Sequence, residues 1–191
     1  MSHREFSNLL FLDTDMDFSR EAVLRLLAGD KPVAGIARPY RFFDREQRIT
    51  SADVGLTLRE WQEETVDYTA VLADQAGSSV VSDGWAEVSH VGTGIFLVRR
   101  DALEAIAAHT ALYRPPAQYA GYLPHGKFHA FFDTVSEKGV YLSEDLSFCR
   151  RVRAAGKSVW ALIDEKIVHH GASSISGTYL HALEMRGHMR K

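Results

Sequence analysis

The sequence has little cysteine and no long apolar run, and both absences narrow the class of protein. A single cysteine, Cys149, cannot form an internal disulfide, which favours a reducing compartment. No apolar stretch approaches the length needed to span a bilayer, and the N-terminus from Met1 to Phe6 lacks the apolar segment of a secretory signal. We therefore expect a cytoplasmic protein without a transmembrane segment.

An excess of basic residues is also missing. The chain has 22 Lys and Arg residues against 25 Asp and Glu residues, which gives a formal net charge of -3. Because nucleic-acid-binding proteins usually carry a strong basic excess, nucleic acid is not an expected partner. The 191 residues, of which 46% are hydrophobic, are enough for one domain with a sizeable core, predicted over residues 1–191.

The first forty residues predict a strand, a helix and a second strand. Asn8–Leu12 is a short apolar run that predicts a buried strand. Ser19 has the position of a helix N-cap, Gly29 that of a stop, and residues 33–37 predict the next strand. This order favours a parallel pair joined by a right-handed crossover. We therefore expect an α/β protein with a mixed, mainly parallel central sheet flanked by helices.

Later elements follow the same kind of local signal. After residue 40 the sequence predicts a helix within 51–64, a strand within 66–72 and extended chain over 85–99 that is broken at Gly92-Thr93-Gly94. A capping box then opens a helix predicted over 101–109. The remaining predicted elements are a helix over 143–156, strands at 159–163 and near 167–169, and a helical tail from 179.

Three aspartates lie directly after the first apolar run, in the stretch Asp13-Thr14-Asp15-Met16-Asp17. Residues two apart on extended chain point the same way, so Asp13 and Asp15 can face one point in space. Two like charges there require compensation, and carboxylate oxygens suit Mg²⁺ or Mn²⁺. The stretch alone leaves a simpler interpretation open, in which one aspartate caps a turn and the others are solvated. We interpret Asp17 first as a turn or cap residue and second as a further ligand.

Acidic and imidazole side chains recur near later element ends. Glu144 and Asp145 begin a helix, where the macrodipole favours acids, and either is also a candidate general base. His169 follows the last predicted strand and could complete a carboxylate and imidazole site for Mn²⁺, with backbone room supplied by Gly171. Cys149 is predicted to lie in the core and not to act as a nucleophile.

The order of four motifs resembles one family, the GT-A glycosyltransferases, and is most similar to its small bacterial and phage-type members. The motifs are LLFLDTDMDFSREAVLRLLAGDKPVAG, VGTGIFLVRRDALEAI, YLSEDLSFCRRVRAAGKSVWA and VHHGASSISG. They resemble, in turn, the DxD strand and its following helix and strand, the glycine-centred strand beside the donor sugar, the acidic catalytic helix and the terminal His-x-Gly element. Together they cover most of the chain.

The resemblance implies a nucleotide-diphospho-sugar transferase that needs Mn²⁺ or Mg²⁺, with a UDP-sugar as the favoured donor and an unidentified acceptor hydroxyl. Its implied metal ligands are Asp13, Asp15 and His169, its implied catalytic residue is Asp145 or Glu144, and its implied donor or acceptor contacts are Gly92, Thr93, Gly94 and Gly171. Arg38 follows a predicted strand and is a further candidate contact for phosphate or acceptor, with a solvated turn as the alternative.

The chain departs from the family at its N-terminus. In the family, the DxD strand follows a part of the sheet that holds the nucleotide base and ribose, whereas here the strand begins at Asn8. We therefore expect a shortened domain with an exposed sheet edge, covered by a second copy or by a partner chain. Two alternatives stay open: a degenerate GT-A-like binding module without turnover, and a haloacid-dehalogenase-like phosphohydrolase with Asp13 as its covalent nucleophile.

Overall fold

The computed structural model describes residues 6–40, 66–74, 81–122, 126–171 and 174–187, together with positions 55, 57 and 61. The helix predicted within 51–64 lies outside the described residues apart from those three positions. Within the described ranges the strands are β1 (Asn8–Leu12), β2 (Met16–Asp17), β3 (Val33–Ile36), β4 (Ala70–Leu72), β5 (Trp85–Val91), β6 (Ile95–Arg99), β7 (Leu112–Tyr113), β8 (Phe128–His129), β9 (Val135–Glu137), β10 (Val140–Leu142), β11 (Val159–Leu162), β12 (Ile167–His169) and β13 (Ile175–Gly177). The α-helices are α1 (Arg20–Ala28), α2 (Arg100–Ala107), α3 (Glu144–Ala154) and α4 (Tyr179–Met185), and a 3-10 helix covers Ala117–Tyr122.

The main sheet has six strands in the order β1-β6-β3-β11-β5-β4, and its only parallel pair is β3 with β11 among the strands described. The prediction of a mainly parallel central sheet is therefore wrong. The first strand, helix and second strand do form, but β6 lies between β1 and β3 and pairs antiparallel with both. Leu97 of β6 lies opposite Leu10 on one side and Ala34 on the other. Local patterning predicts each strand, but it carries no information about a distant strand inserted between two others.

Helix ends follow the sequence signals in some places and not in others. Ser19 caps α1 by accepting a hydrogen bond from the backbone N–H of Ala22, and Gly29 is the C-cap, as predicted. The capping box predicted for α2 is wrong, because Arg99 is the N-cap residue and its side chain makes no capping bond. The Asp101 carboxylate instead accepts from Arg99 Nε at 3.0 Å and from Lys157 Nζ at 3.2 Å.

The core has two apolar clusters because side chains alternate across β3 and β6. Phe96 and Val98 of β6 lie in the cluster that includes Phe148 of α3. Ile95 and Leu97 lie in the other cluster, with Leu26 of α1. The sheet thus buries apolar side chains on both faces, and α3 packs against one of them through Phe148.

The strand β1 lies at one edge of this sheet, where it pairs with β6. Its side chains Leu9 and Leu12 are 44% and 46% exposed, so the expectation of a buried first strand is wrong. A continuous apolar run is typical of strands covered on both sides, but an edge position leaves part of the run open. Within the described residues, no helix combines the length and apolar character that crossing a bilayer requires.

Gly35 allows β3 to pack tightly against side chains of two other strands. A Cβ atom at this position would lie 2.9 Å from Val91 Cγ1 and 3.1 Å from Phe96 Cδ2. We expect Gly35→Ala to lower the free energy of unfolding by about 1–3 kcal/mol, because the added methyl overpacks the core. Urea denaturation measures the change.

The matched control is Gly121→Ala, since a Cβ there would meet no heavy atom within 4 Å. We expect this variant to unfold within about 0.5 kcal/mol of the parent protein. Equal stability of the two variants would contradict the tight packing at Gly35.

Candidate functional site

A small second sheet brings the aspartate stretch against the histidine near the C-terminus. The strand β2 pairs antiparallel with β12, so that Met16 lies opposite His169. The backbone N–H of His170 donates to the carbonyl of Asp15 at 2.9 Å. As a result, the His169 Nε2 and Asp15 Oδ2 atoms lie 3.5 Å apart. The structure thus brings together two of the three residues predicted to bind a metal.

The His169 ring is buried, and its surroundings fix one tautomer. Its Nδ1 atom lies 2.8 Å from the carbonyl oxygen of Pro39, which can only accept a hydrogen bond. Nδ1 therefore carries a proton and donates to Pro39. Arg38 Nη1 lies 3.3 Å from the same nitrogen, but a protonated Nδ1 cannot accept, so we interpret this approach as packing. The other nitrogen, Nε2, faces Asp15, as in metal sites where a carbonyl orients the histidine.

The spacing of this pair suits two ligands of one cation. Donor atoms about 2.0–2.2 Å from a metal lie roughly 3.0–3.5 Å apart at bond angles of about 90–110°. The observed 3.5 Å between Asp15 Oδ2 and His169 Nε2 agrees with the wider end of that range. A Mg²⁺ site commonly uses one or two carboxylates, with water and substrate phosphates in the remaining positions. The pair therefore fits the predicted Mn²⁺ or Mg²⁺.

Asp13, the third predicted ligand, is held nearby through its backbone. Its N–H donates to the carbonyl of Gly94 at 2.8 Å, and the residue is exposed. Among the described residues, no group of three His, Cys, Asp or Glu side chains is arranged to hold a metal. The protein contribution that the geometry supports is thus Asp15 with His169, and Asp13 does not join them in a three-residue group.

Arg38 lies across Gly94 and beside Asp13. A Cβ atom on Gly94 would lie 2.6 Å from Arg38 Nε and 3.5 Å from Asp13 Oδ2, so this glycine leaves room for the arginine. Arg38 Nε is buried and has no hydrogen-bond partner in the part of the chain that the structure describes. Because buried donors are nearly always paired, an unpaired guanidinium nitrogen at this place is a candidate contact for a bound anion.

Gly92 provides a similar place for Thr69. A Cβ atom on Gly92 would lie 2.9 Å from Thr69 Oγ1, and that hydroxyl is also buried without a partner among the described residues. Thr93, between the two glycines, is half-buried, and Gly171 is exposed beyond His169. The Gly-Thr-Gly element therefore accommodates the polar side chains of Thr69 and Arg38, and Arg38 also approaches His169.

Asp145 is fixed in the first turn of α3. Its Oδ1 atom accepts hydrogen bonds from Ser143 Oγ and, at 2.8 Å, from the backbone N–H of Leu146. Its Oδ2 atom has no hydrogen-bond partner within the described ranges. Glu144, the alternative catalytic acid, is exposed. The arrangement holds one oxygen of Asp145 and leaves the other able to accept a proton.

The negative charge of Asp145 contributes to the pKa shifts of two other side chains, Tyr40 and His90. Burial raises the pKa of the Tyr40 phenol, and the Asp145 carboxylate raises it further. Burial lowers the pKa of His90, while Asp145 acts in the opposite direction. Tyr40 directly follows Pro39, the residue that orients His169. Asp145 and the Asp15–His169 pair thus border the same region of the molecule.

Some contributors to the site carry no recognisable sequence signal. The Pro39 carbonyl is a backbone group, and Thr69 and His90 lie in or beside strands whose patterning indicates only burial. Cys149 is fully buried, and burial raises the pKa of its thiol to about 12, which suits the predicted core position.

No protein-family model and no curated protein matches the chain. Among solved structures, it is similar to one described as the crystal structure of A197 from STIV, with a TM-score of 0.39 and 18% sequence identity. The similarity covers 88% of this chain and 60% of that chain, so this chain spans less than two thirds of its length. The likeness is too distant to indicate a shared fold or activity.

Proposed function

We propose that this protein is a metal-dependent glycosyltransferase that moves a sugar from a nucleotide-diphosphate donor to an acceptor hydroxyl. The supporting observation is the Asp15–His169 pair, in which the Pro39 carbonyl orients the imidazole and leaves Nε2 facing the carboxylate. This geometry is typical of a divalent-cation site completed by ligand oxygens. A UDP-sugar is the favoured donor because of the family resemblance.

Arg38 and the metal site would share the negative charge of the donor. When bound, Mn²⁺ or Mg²⁺ would act as a Lewis acid toward the departing diphosphate. Arg38 supplies planar guanidinium donors, including the unpaired Nε, beside Asp13 and His169. Guanidinium groups bind phosphate oxygens with directed, charge-assisted hydrogen bonds. We assign Arg38 to diphosphate binding in preference to a solvated turn.

Asp145 supplies the base in this proposal. An acceptor hydroxyl loses its proton as it attacks the sugar, and the free Oδ2 of Asp145 would take it. The Ser143 and Leu146 hydrogen bonds hold the opposite oxygen, so the carboxylate keeps one orientation. This role applies to an enzyme that inverts the anomeric centre.

Calorimetric titration of common nucleotide sugars, with and without Mn²⁺, tests the proposal together with an assay of donor hydrolysis. We expect Mn²⁺-dependent binding of at least one donor and slow release of the free nucleotide. If the purified protein neither binds nor hydrolyses any nucleotide sugar, the proposal fails. Metal-dependent binding without hydrolysis or transfer would instead identify a binding module.

Asp15→Asn tests the metal site directly, because it removes the charge and keeps the size of the side chain. We expect it to weaken Mn²⁺-dependent donor binding by at least about 10–100-fold, the loss typical of damaged metal sites. Titration of the same donor against both proteins measures the change.

Asp17→Asn is the matched control, since Asp17 lies on β2 in the same stretch and its side chain is exposed. We expect Asp17→Asn to bind the donor and Mn²⁺ as the parent protein does. Undiminished metal dependence in Asp15→Asn would overturn the assignment of the site.

A further inference from the structure

Thr69 and Arg38 lie opposite each other on two neighbouring segments of the chain. Pro39 forms an antiparallel bridge with Tyr68, and the backbone N–H of Thr69 donates to the carbonyl of Arg38 at 2.9 Å. Side chains that lie directly opposite in an antiparallel pair share one face, with Cβ atoms about 4.5–5.5 Å apart. The Thr69 and Arg38 side chains are therefore neighbours on the same face.

Both side chains extend toward the loop between β5 and β6. A Cβ atom on Gly92 would lie 2.9 Å from Thr69 Oγ1, and a Cβ atom on Gly94 would lie 2.6 Å from Arg38 Nε. The backbone N–H of Gly92 also donates to the carbonyl of Thr69 at 2.7 Å, which holds the loop against this residue. The two glycines thus leave room for one polar group each, and the two groups belong to cross-strand neighbours.

Neither polar atom has a hydrogen-bond partner within the described residues. Thr69 is 4% exposed, and its Oγ1 atom and Arg38 Nε are both buried without a hydrogen bond. A buried polar atom left unpaired destabilises the folded chain, so nearly all such atoms find a partner. Two of them on adjacent side chains indicate a partner that is not among the described residues, and a bound ligand is such a partner.

One edge of the Arg38 guanidinium has the geometry of a phosphate site. Nη1 is the nitrogen beside His169, 3.3 Å from its Nδ1 atom. In the part of the chain that the structure describes, Nε and Nη2 make no hydrogen bond. Their N–H groups point in parallel from one edge of the planar group, an arrangement that binds two oxygens of one phosphoryl group. Arg38 as a residue is half-buried and not fully enclosed.

The charges around this edge decide which oxyanion fits. The guanidinium attracts an anion, and the neighbouring hydroxyl can donate a hydrogen bond to it. Asp13 Oδ2 lies 3.5 Å from the same Cβ position on Gly94, and its carboxylate repels a bare anion. A divalent cation at the Asp15–His169 pair would offset this repulsion. The surroundings therefore suit an oxyanion that binds together with a divalent cation, as a diphosphate does.

We propose that Thr69 is a diphosphate-binding residue, whose hydroxyl donates to an oxygen of the phosphoryl group that Arg38 binds through Nε and Nη2. The inference rests on the proposed function, which supplies the diphosphate. Because Nε and Oγ1 are covered, binding requires the guanidinium to turn toward the ligand and the loop at Gly92 and Gly94 to shift slightly. Glycine at both positions eases this shift, because it restricts the backbone least.

Isothermal titration calorimetry of the complete protein tests this role with inorganic pyrophosphate, UDP and uridine as probes, each with Mg²⁺ and with EDTA in its place. We expect pyrophosphate and UDP to bind in the presence of Mg²⁺, and uridine to bind more weakly than UDP. Thr69→Val removes the hydroxyl and keeps the branched shape. We expect it to weaken pyrophosphate and UDP binding by about tenfold, the loss of one hydrogen bond to a charged group.

Thr69→Ser is the matched control, because it keeps the hydroxyl, and it should bind both probes nearly as the parent protein does. The midpoint of urea denaturation separates a ligand contact from a structural role. Thr69→Val should unfold at the same or a higher urea concentration, since it removes an unpaired buried hydroxyl. A hydroxyl that is paired within the chain would instead make Thr69→Val unfold at a lower concentration.

The inference is overturned if the parent protein binds neither pyrophosphate nor UDP, if uridine binds as tightly as UDP, or if Thr69→Val binds both probes normally. An equal loss in Thr69→Ser and Thr69→Val, or a lower urea midpoint for Thr69→Val, overturns it as well. Thr69-dependent pyrophosphate binding by a protein that neither binds nor hydrolyses a nucleotide sugar would contradict only the proposed function. Donor hydrolysis together with normal UDP binding in Thr69→Val would contradict only the role of Thr69.

Discussion

Asp145→Asn is expected to lower the rate of sugar transfer by about 10²–10⁴-fold, the contribution typical of a positioned general base. The amide oxygen can still accept from Ser143 Oγ and from the Leu146 N–H, so the side chain keeps its place. The amide nitrogen that replaces Oδ2 cannot take a proton from the acceptor. Nucleotide-sugar binding should persist, because Asp145 does not belong to the Asp15–His169 pair.

Glu144→Gln decides between the two acids at the start of α3. Glu144 is exposed, whereas Asp145 is half-buried and hydrogen-bonded. We expect a much smaller loss of rate for Glu144→Gln than for Asp145→Asn, measured by single-turnover transfer at saturating donor. A larger loss in Glu144→Gln, or an undiminished rate in Asp145→Asn, would place the base elsewhere.

Elements with strong local signals could be predicted from the sequence. The structure gives β1 the bounds Asn8–Leu12, and α1 has Ser19 and Gly29 at its caps, as the residues indicate. The order of strands could not be predicted, because the insertion of β6 between β1 and β3 depends on pairing between residues far apart in sequence. The direction of a strand relative to its neighbours therefore has no local sequence signal, and the prediction of a mainly parallel sheet was wrong.

The candidate site could also be predicted only in part, because some of its features have local sequence signals and others depend on contacts between distant residues. Asp15 and His169 could be recognised as candidates because each stands close after a short apolar run of the sequence. The strands formed by these runs, β1 and β12, belong to different sheets, so the meeting of strand ends within one sheet does not explain why the two side chains are close. Their contact, however, depends on the short pairing of β2 with β12, and the imidazole tautomer depends on the carbonyl of Pro39. A backbone carbonyl is common to all residues, so its role has no pattern in the sequence.

The two parts of the site are joined through four phenylalanine rings. The ring of Phe11, two residues before Asp13, lies 6.3 Å from that of Phe96 and 5.4 Å from that of Phe132. Phe148, three residues after Asp145, stacks on Phe132 at 4.4 Å and meets Phe96 edge-on at 5.7 Å. The end of β1 before the aspartate stretch and the helix α3 are thus held by one packed cluster.

Phe148→Ala should therefore reduce stability strongly, since Phe148 is fully buried at the centre of this cluster. We expect the free energy of unfolding to fall by about 3–5 kcal/mol, which combines lost burial with the cavity that remains. Phe148→Leu should lose less, because it fills much of the same space. Urea denaturation followed by circular dichroism measures both variants.

Phe128→Ala provides the comparison, because Phe128 is 42% exposed and its ring contacts Tyr113 outside the four-ring cluster. We expect a loss below about 1 kcal/mol there, as for most surface substitutions. If Phe148→Ala and Phe128→Ala were equally mild, the four rings would not form the packed support between β1 and α3. The position of the Asp145 carboxylate would then depend on its own hydrogen bonds to Ser143 and Leu146 alone.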